Sequence, residues 1–222
     1  MKSIIILALL SLSLSSNIIM VGDSRTYLLA QYLFPIFQGN YPAITNYDNP
    51  VPYGKHNVRF DCMPGATIYD FTSDKPLGQI LDNLVATSPG AYVFLWVGVN
   101  NVAYPNGIRD TFNRYFELAK KNPQVNFIIF SIPGVNEQLL AGHHSANNIL
   151  ISKFNLYMKS MVTYYHSVVP NLGYGNFMNE ANPTVTLDGK SIYPYLDAIG
   201  LHFNAEACKY FFDKMLQFLP DY

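Results

Sequence analysis

Short apolar runs bounded by glycine, proline or asparagine alternate along this chain with longer stretches of helical periodicity, and that alternation constrains the fold before any motif is considered. Ile18 to Val21, His56 to Phe60, Ala91 to Val97 and Val125 to Ser131 read as strands, with a weaker run at His166 to Val169. Helical patterns cover Ser24 to Phe34, Leu77 to Val85, Ile108 to Lys121, Asn148 to Tyr164 and Ala205 to Leu219. Strands separated by helices return through crossovers and pair in parallel, so the expected architecture is a three-layer α/β/α domain around a sheet of about five strands. In such open sheets ligands bind outside the carboxyl ends of the strands, which directs attention to the segments that follow each strand. Three long irregular stretches, Gln38 to Lys55, Pro133 to Asn147 and Asn171 to Leu196, are the remaining places for function.

With 222 residues and no composition shift, charge block or repeat, one domain over 17–222 accounts for the chain beyond its leader. The first 16 residues read as a signal peptide: Lys2 gives a positive end, Ile4 to Leu14 is apolar apart from serines, and Ser13-Leu14-Ser15 fits a small-x-small cleavage site. Export is therefore expected, and no later run is long enough for a transmembrane span. Lys and Arg number 14 against 15 Asp and Glu, and they are scattered, so nothing marks a nucleic acid partner. Only 13% of residues are charged, while 17 Tyr and 15 Phe enrich the chain in rings that stack on sugars or fill a core. Cys62 and Cys208 carry no metal or redox spacing; a single disulfide and two buried free thiols both suit an exported chain.

Four short segments carry chemistry. Gly22-Asp23-Ser24-Arg25 follows the first strand and opens a helix, which turns the Ser24 N–H toward an incoming ligand at the positive end of the helix dipole. An Asp there is also an ordinary helix cap. Gly65, in Pro64-Gly65-Ala66-Thr67-Ile68 after the second strand, lets a backbone N–H approach closely, as a plain turn glycine also does. Gly98-Val99-Asn100-Asn101 ends the third strand and offers a side-chain amide to a developing oxyanion, with Asn101 better read as a turn residue. Gly200-Leu201-His202-Phe203-Asn204 precedes the last helix, whose N-cap is Asn204, and His202 is the one histidine of five in a setting that suits a serine hydrolase.

Taken in order and spacing, Gly22-Asp23-Ser24, Gly65-Ala66-Thr67-Ile68, Gly98-x-Asn100-Asn101 and Gly200-Leu201-His202 resemble the four blocks of the SGNH, or GDSL-type, hydrolases. The resemblance implies a flavodoxin-like α/β/α fold and a secreted serine esterase acting on acyl esters, acetyl above all, on a small molecule or a glycan. It implies Ser24 as nucleophile, His202 as general base, and the N–H groups of Ser24 and Gly65 with the Asn100 amide as the oxyanion hole. No metal and no organic cofactor is implied. A lipid acyl hydrolase, or a weakly catalytic glycan-binding module of the same fold, are the alternatives.

The chain departs from the pattern at the acid. The family places an Asp three residues before its histidine, and that position here is Ile199. Asp197 can reach His202 through a looped-out Ala198-Ile199, a more distant acid such as Asp188 can serve, or a backbone carbonyl can complete a dyad; the first is the preferred reading.

Overall fold

The computed structural model describes residues 16–39, 43–45, 49–140 and 144–220. The expected signal peptide, Ser16 apart, lies outside the described residues. Strands β1 (Asn17–Gly22), β2 (Ile44–Thr45), β3 (Val51–Tyr53), β4 (His56–Cys62), β5 (Tyr92–Trp96), β6 (Asn126–Phe130) and β7 (Leu172–Gly175) form one sheet. Helices α1 (Ser24–Leu33), α2 (Pro76–Ala86), α3 (Gly107–Lys121), α4 (Glu137–Leu140), α5 (Asn148–Tyr165) and α6 (Ala205–Leu216) surround it. The five parallel strands run in the order β4-β1-β5-β6-β7, and β2 and β3 add antiparallel to the outer side of β4. That is the flavodoxin-like order, with its switch point between β1 and β5.

Alternation along β1 separates the two cores. Ile19 and Val21 join Leu81 and Val85 of α2, Phe112 and Tyr115 of α3, and Phe154 and Met158 of α5 on one face. Ile18 and Met20 join Leu29 and Ala30 of α1 and Phe211, Phe212 and Met215 of α6 on the other. Both faces of the sheet are covered, which is why its strands read as unbroken apolar runs. Each fully buried Val, Leu, Ile, Phe or Met among them contributes roughly 1.5 to 3 kcal/mol relative to exposure.

Two sequence expectations change. His166 to Val169 is not a strand: α5 runs to Tyr165, the amides of Val168 and Val169 both bond back to the Tyr165 carbonyl, and Val168 is exposed. The last parallel strand is instead β7, where the Leu-Gly-Tyr-Gly sequence lacks β-branched residues and pairing with β6 from Phe127 opposite Leu172 to Phe130 opposite Gly175 decides the conformation. Of the stretches read as irregular, Pro133 to Asn147 contains α4, Asn171 to Leu196 contains β7, and Gln38 to Lys55 contains β2 and β3. Their two and three residues are too short for a periodic signal, and Pro52 sits on an edge strand where no ladder donor is lost. Cys62 and Cys208 are both buried free thiols.

Asp61, opposite Val21 in the β1–β4 ladder, is completely buried, and neither carboxylate oxygen has a hydrogen-bond partner among the described residues. Burial pushes its carboxyl well above the usual carboxylate range. The folded chain then keeps a proton that the unfolded chain releases above about pH 4, so stability falls as pH rises between the unfolded value and the raised folded value. Asp61→Asn, which cannot ionise, is expected to flatten that decline. Thermal melts of both proteins between pH 5 and pH 8 check it, and parallel curves would contradict the reading.

Candidate active site

The site lies where the carboxyl ends of β1, β4 and β5 meet. Gly22 stands opposite both Cys62 and Trp96, so the segments that follow these strands leave the sheet side by side. Asp23 caps α1 through Oδ1, which accepts from the Arg25 N–H at 3.0 Å, while Oδ2 accepts from the Gly98 N–H at 3.4 Å. The capping role and the site role of this tetrapeptide are therefore compatible: the cap holds the first turn of α1, and Ser24 follows it with an N–H that has no intrahelical acceptor.

Ser24 Oγ lies 3.1 Å from His202 Nε2, and His202 Nδ1 lies 3.1 Å from Asp197 Oδ2. A carboxylate accepts from Nδ1–H, which leaves Nε2 unprotonated and able to accept from the serine hydroxyl. Asp197 reaches the ring because residues 197–202 close on themselves. Its Oδ1 accepts from the Leu201 and His202 amides at 3.0 and 3.2 Å, its N–H donates to the His202 carbonyl at 2.8 Å, and its carbonyl accepts from Gly200 N–H at 2.9 Å. Gly200 adopts φ +74°, a left-handed turn that favours glycine, and Ile199 is carried outward and exposed. Asp188 is occupied elsewhere: it accepts from Thr186 Oγ1 and from the Tyr210 hydroxyl and pairs with Lys214 at 3.4 Å.

Behind Ser24, the fully buried Arg25 guanidinium ties two loops together. It donates to the carbonyls of Pro133 and Gly134 after β6 and to that of Leu201 beside the histidine, and it lies 4.6 Å from the Phe203 ring centre. Burial lowers its pKa to about 10, so it remains protonated at neutral pH. The carbonyls consume the donors, and the chain thereby fixes where His202 stands relative to Ser24.

Gly65, with φ +76°, is exposed in a turn closed by the Ala66 N–H to Met63 carbonyl bond of 3.1 Å. Two amides join this turn to the segment after β5. Asn101 Oδ1 accepts from the Ile68 N–H at 3.0 Å and is fully buried, the structural role expected of it. Asn100 Nδ2 donates to the Ala66 carbonyl at 2.9 Å, and its Oδ1 lies 3.0 Å from His144 Nε2. His144 is the residue sequence reasoning passes over. It lies in the loop after β6, and the available signal was only its position beyond the carboxyl end of a parallel strand. No group of three or more metal-ligating side chains occurs among the described residues.

No family sequence model and no curated protein matches the chain. Solved structures do. The lipase/acylhydrolase from Enterococcus faecalis aligns over 91% of this chain and 94% of its own at 15% identity, TM-score 0.56. A candidate SGNH hydrolase from Slackia heliotrinireducens aligns over 92% and 98% at 15% identity, TM-score 0.56. This is the SGNH-type fold. A member of the lipolytic G-D-S-L family from Veillonella parvula shares the SGNH fold with it at 14% identity, covering 92% of this chain and 98% of that one with TM-score 0.54. The fold brings Ser24 and His202 together although 178 residues separate them: Ser24 opens α1 directly after β1, His202 stands three residues before α6, and α1 and α6 pack in the same layer.

Proposed function

We propose that the chain is a serine hydrolase of acyl esters, with Ser24 as nucleophile, His202 as general base and Asp197 as the acid that orients the imidazole. The observation that carries this reading is the pair of 3.1 Å contacts linking Ser24 Oγ, His202 and Asp197. Ser24 Oγ attacks the ester carbonyl carbon as its proton passes to Nε2. The carbonyl oxygen, now negative, is met by the N–H groups of Ser24 and Gly65 and by the Asn100 amide. Collapse expels the alcohol, which takes the proton from Nε2, and water repeats the sequence on the acyl-enzyme to release the acid and restore Ser24. The names of the Enterococcus and Veillonella structures, an acylhydrolase and a lipolytic protein, lean the same way.

For the substrate we favour a short acyl group, acetyl above all, carried on a carbohydrate. Tyr69 and Tyr104, each four residues beyond Gly65 and Asn100, are exposed and meet edge to face at 6.0 Å, a pair of rings suited to sugar faces. A second reading, a lipid acyl chain, is favoured by a groove of about 420 Å³ lined by Val102, Tyr104, Ile108, Leu150 and Tyr157 among others. Release of p-nitrophenolate from esters of two to twelve carbons, beside acetate release from acetylated polysaccharide, separates them. A maximum at two carbons supports the first reading and a rise with chain length the second. Labelling of Ser24 by a fluorophosphonate, located by mass spectrometry, tests the hydrolase itself; an unlabelled Ser24 in folded protein would sink it.

Export through the leader at 1–16 belongs to the same proposal. Cleavage there leaves β1 complete from Asn17, as the position of Ser24 requires. Among the described residues no helix is long and apolar enough to cross a membrane. Protein recovered from the medium is expected to begin near Ser16 or Asn17 by intact-mass measurement, and a retained Met1 would refute processing.

A further inference from the structure

The chain of contacts that ends at Asn100 begins at a backbone amide. Ala146 N–H donates to His144 Nδ1 at 2.9 Å, so that nitrogen carries no proton and the neutral ring must hold its hydrogen on Nε2. Nε2–H then donates to Asn100 Oδ1 at 3.0 Å. The far end of the same amide, Nδ2, gives one hydrogen to the Ala66 carbonyl at 2.9 Å and retains a second. We infer that His144 is a positioning residue for the oxyanion hole: by donating to Oδ1 it holds the Asn100 amide with its NH₂ end, and never its oxygen, toward the developing oxyanion. The inference rests on the serine hydrolase reading above.

The two ends of an Asn amide are alike in shape and opposite in hydrogen bonding, so their order must be imposed from outside. Ala66 accepts and His144 donates, and both demand the same orientation. Reversal would set Oδ1 against the Ala66 carbonyl and Nδ2 against Nε2–H, losing two hydrogen bonds at once. A reversed amide would also aim a partial negative charge at the oxyanion, which removes a donor and adds a repulsion.

The arrangement works only while His144 is neutral. Protonation would put a hydrogen on Nδ1 facing the Ala146 N–H, two donors against each other. Burial and the two basic neighbours of the ring act in one direction. Half-burial disfavours the imidazolium first, then the Arg25 guanidinium and His202, and together they lower the His144 pKa. Glu137, which lines a small cavity of about 220 Å³ together with His144 and accepts the Asn148 N–H on Oε1 at 2.6 Å, acts the other way without reversing the lowering. The lowered pKa favours the same neutral ring that the Ala146 N–H requires.

The test is kinetic, spectroscopic and internal to the protein. With p-nitrophenyl acetate, Asn100→Ala is expected to lower kcat by roughly 10² to 10³, as loss of one oxyanion donor does. His144→Phe, which keeps the ring volume without the donor, is expected to lower kcat by about 10 to 10², with KM changed less than about threefold. His144→Gln, whose amide can still donate to Oδ1, is expected to recover most of that loss. In the Asn100→Ala background His144→Phe should cost nothing further, because its effect passes through the amide it no longer has to hold. Losses that multiply, or an unchanged kcat in a His144→Phe protein that melts like its parent, would overturn the inference. Nitrogen NMR of the imidazole supplies a readout that does not depend on turnover. The inference requires a protonated Nε2 and a bare Nδ1 on His144, and an Asn100 side-chain amide resonance that moves in His144→Phe and less in His144→Gln; the opposite tautomer would overturn it. A parent protein that turns over no ester and whose Ser24 resists the fluorophosphonate overturns the hydrolase reading and takes this role with it. An active parent indifferent to His144 overturns this role alone.

Discussion

Ser24→Ala is expected to lower kcat on p-nitrophenyl acetate by about 10⁴ to 10⁶, with KM little changed and the melting temperature preserved. The size follows from what the hydroxyl does. Removing the nucleophile of such a relay leaves only the stabilisation from the oxyanion donors and from binding, so the whole covalent route is lost at once. The preserved stability follows from the structure around it. The cap of α1 is Asp23, not Ser24, and its two bonds to the Arg25 and Gly98 amides survive the change. Ser24 is only 7% exposed, and its deletion takes one oxygen from His202 Nε2, on a side chain that at 27% exposure can turn to water instead. Burst kinetics with the parent and single-turnover measurements with the variant read the effect directly. A folded Ser24→Ala protein with more than about 1% of parental turnover would mean that another group attacks the ester.

How far the sequence led depends on the distance over which each feature is determined. The parallel strands were legible because burial on both faces writes a local apolar run, as in Phe94-Leu95-Trp96, all buried. β7 was not, because its conformation comes from β6 and not from its own Leu-Gly-Tyr-Gly sequence. The residues nearest Ser24 were legible as short segments following strands, since their backbone geometry is set locally by a cap or a turn. His144 was not, because its contact with Asn100 joins residues 44 positions apart and needs the loops after β5 and β6 to be brought together. The same holds for Arg25. Its place beside the serine is plain in the sequence, but its bonds to the carbonyls of Pro133, Gly134 and Leu201 exist only once two loops converge on the start of α1.

The position of the acid illustrates a weaker kind of constraint, and it yields the second large effect. An acid has to reach Nδ1 of the histidine; nothing requires it to do so from a fixed sequence offset. Here the reach is arranged by the six-residue loop 197–202, in which Asp197 Oδ1 binds the Leu201 and His202 amides while Oδ2 meets Nδ1. Asp197→Asn keeps most of this geometry, since the amide oxygen can still accept from both backbone N–H groups. What changes is the atom facing the imidazole. An NH₂ in place of Oδ2 donates to Nδ1, drives the ring proton to Nε2, and leaves no lone pair there to accept the Ser24 proton. The expected result is a fall in kcat of about 10³ to 10⁴ with KM within about threefold, because the lost interaction grows as the imidazolium forms in the transition state. Asp188→Asn, which disturbs only Thr186, Tyr210 and Lys214, is expected to leave kcat within about twofold. Ile199→Asp, at the exposed outside of the loop, is not expected to restore activity to Asp197→Asn. Steady-state kinetics of the three variants decides the matter. Near-parental kcat in Asp197→Asn would reduce the relay to a Ser24–His202 dyad, and rescue by Ile199→Asp would mean that the loop can refold to present its acid from the third position before the histidine.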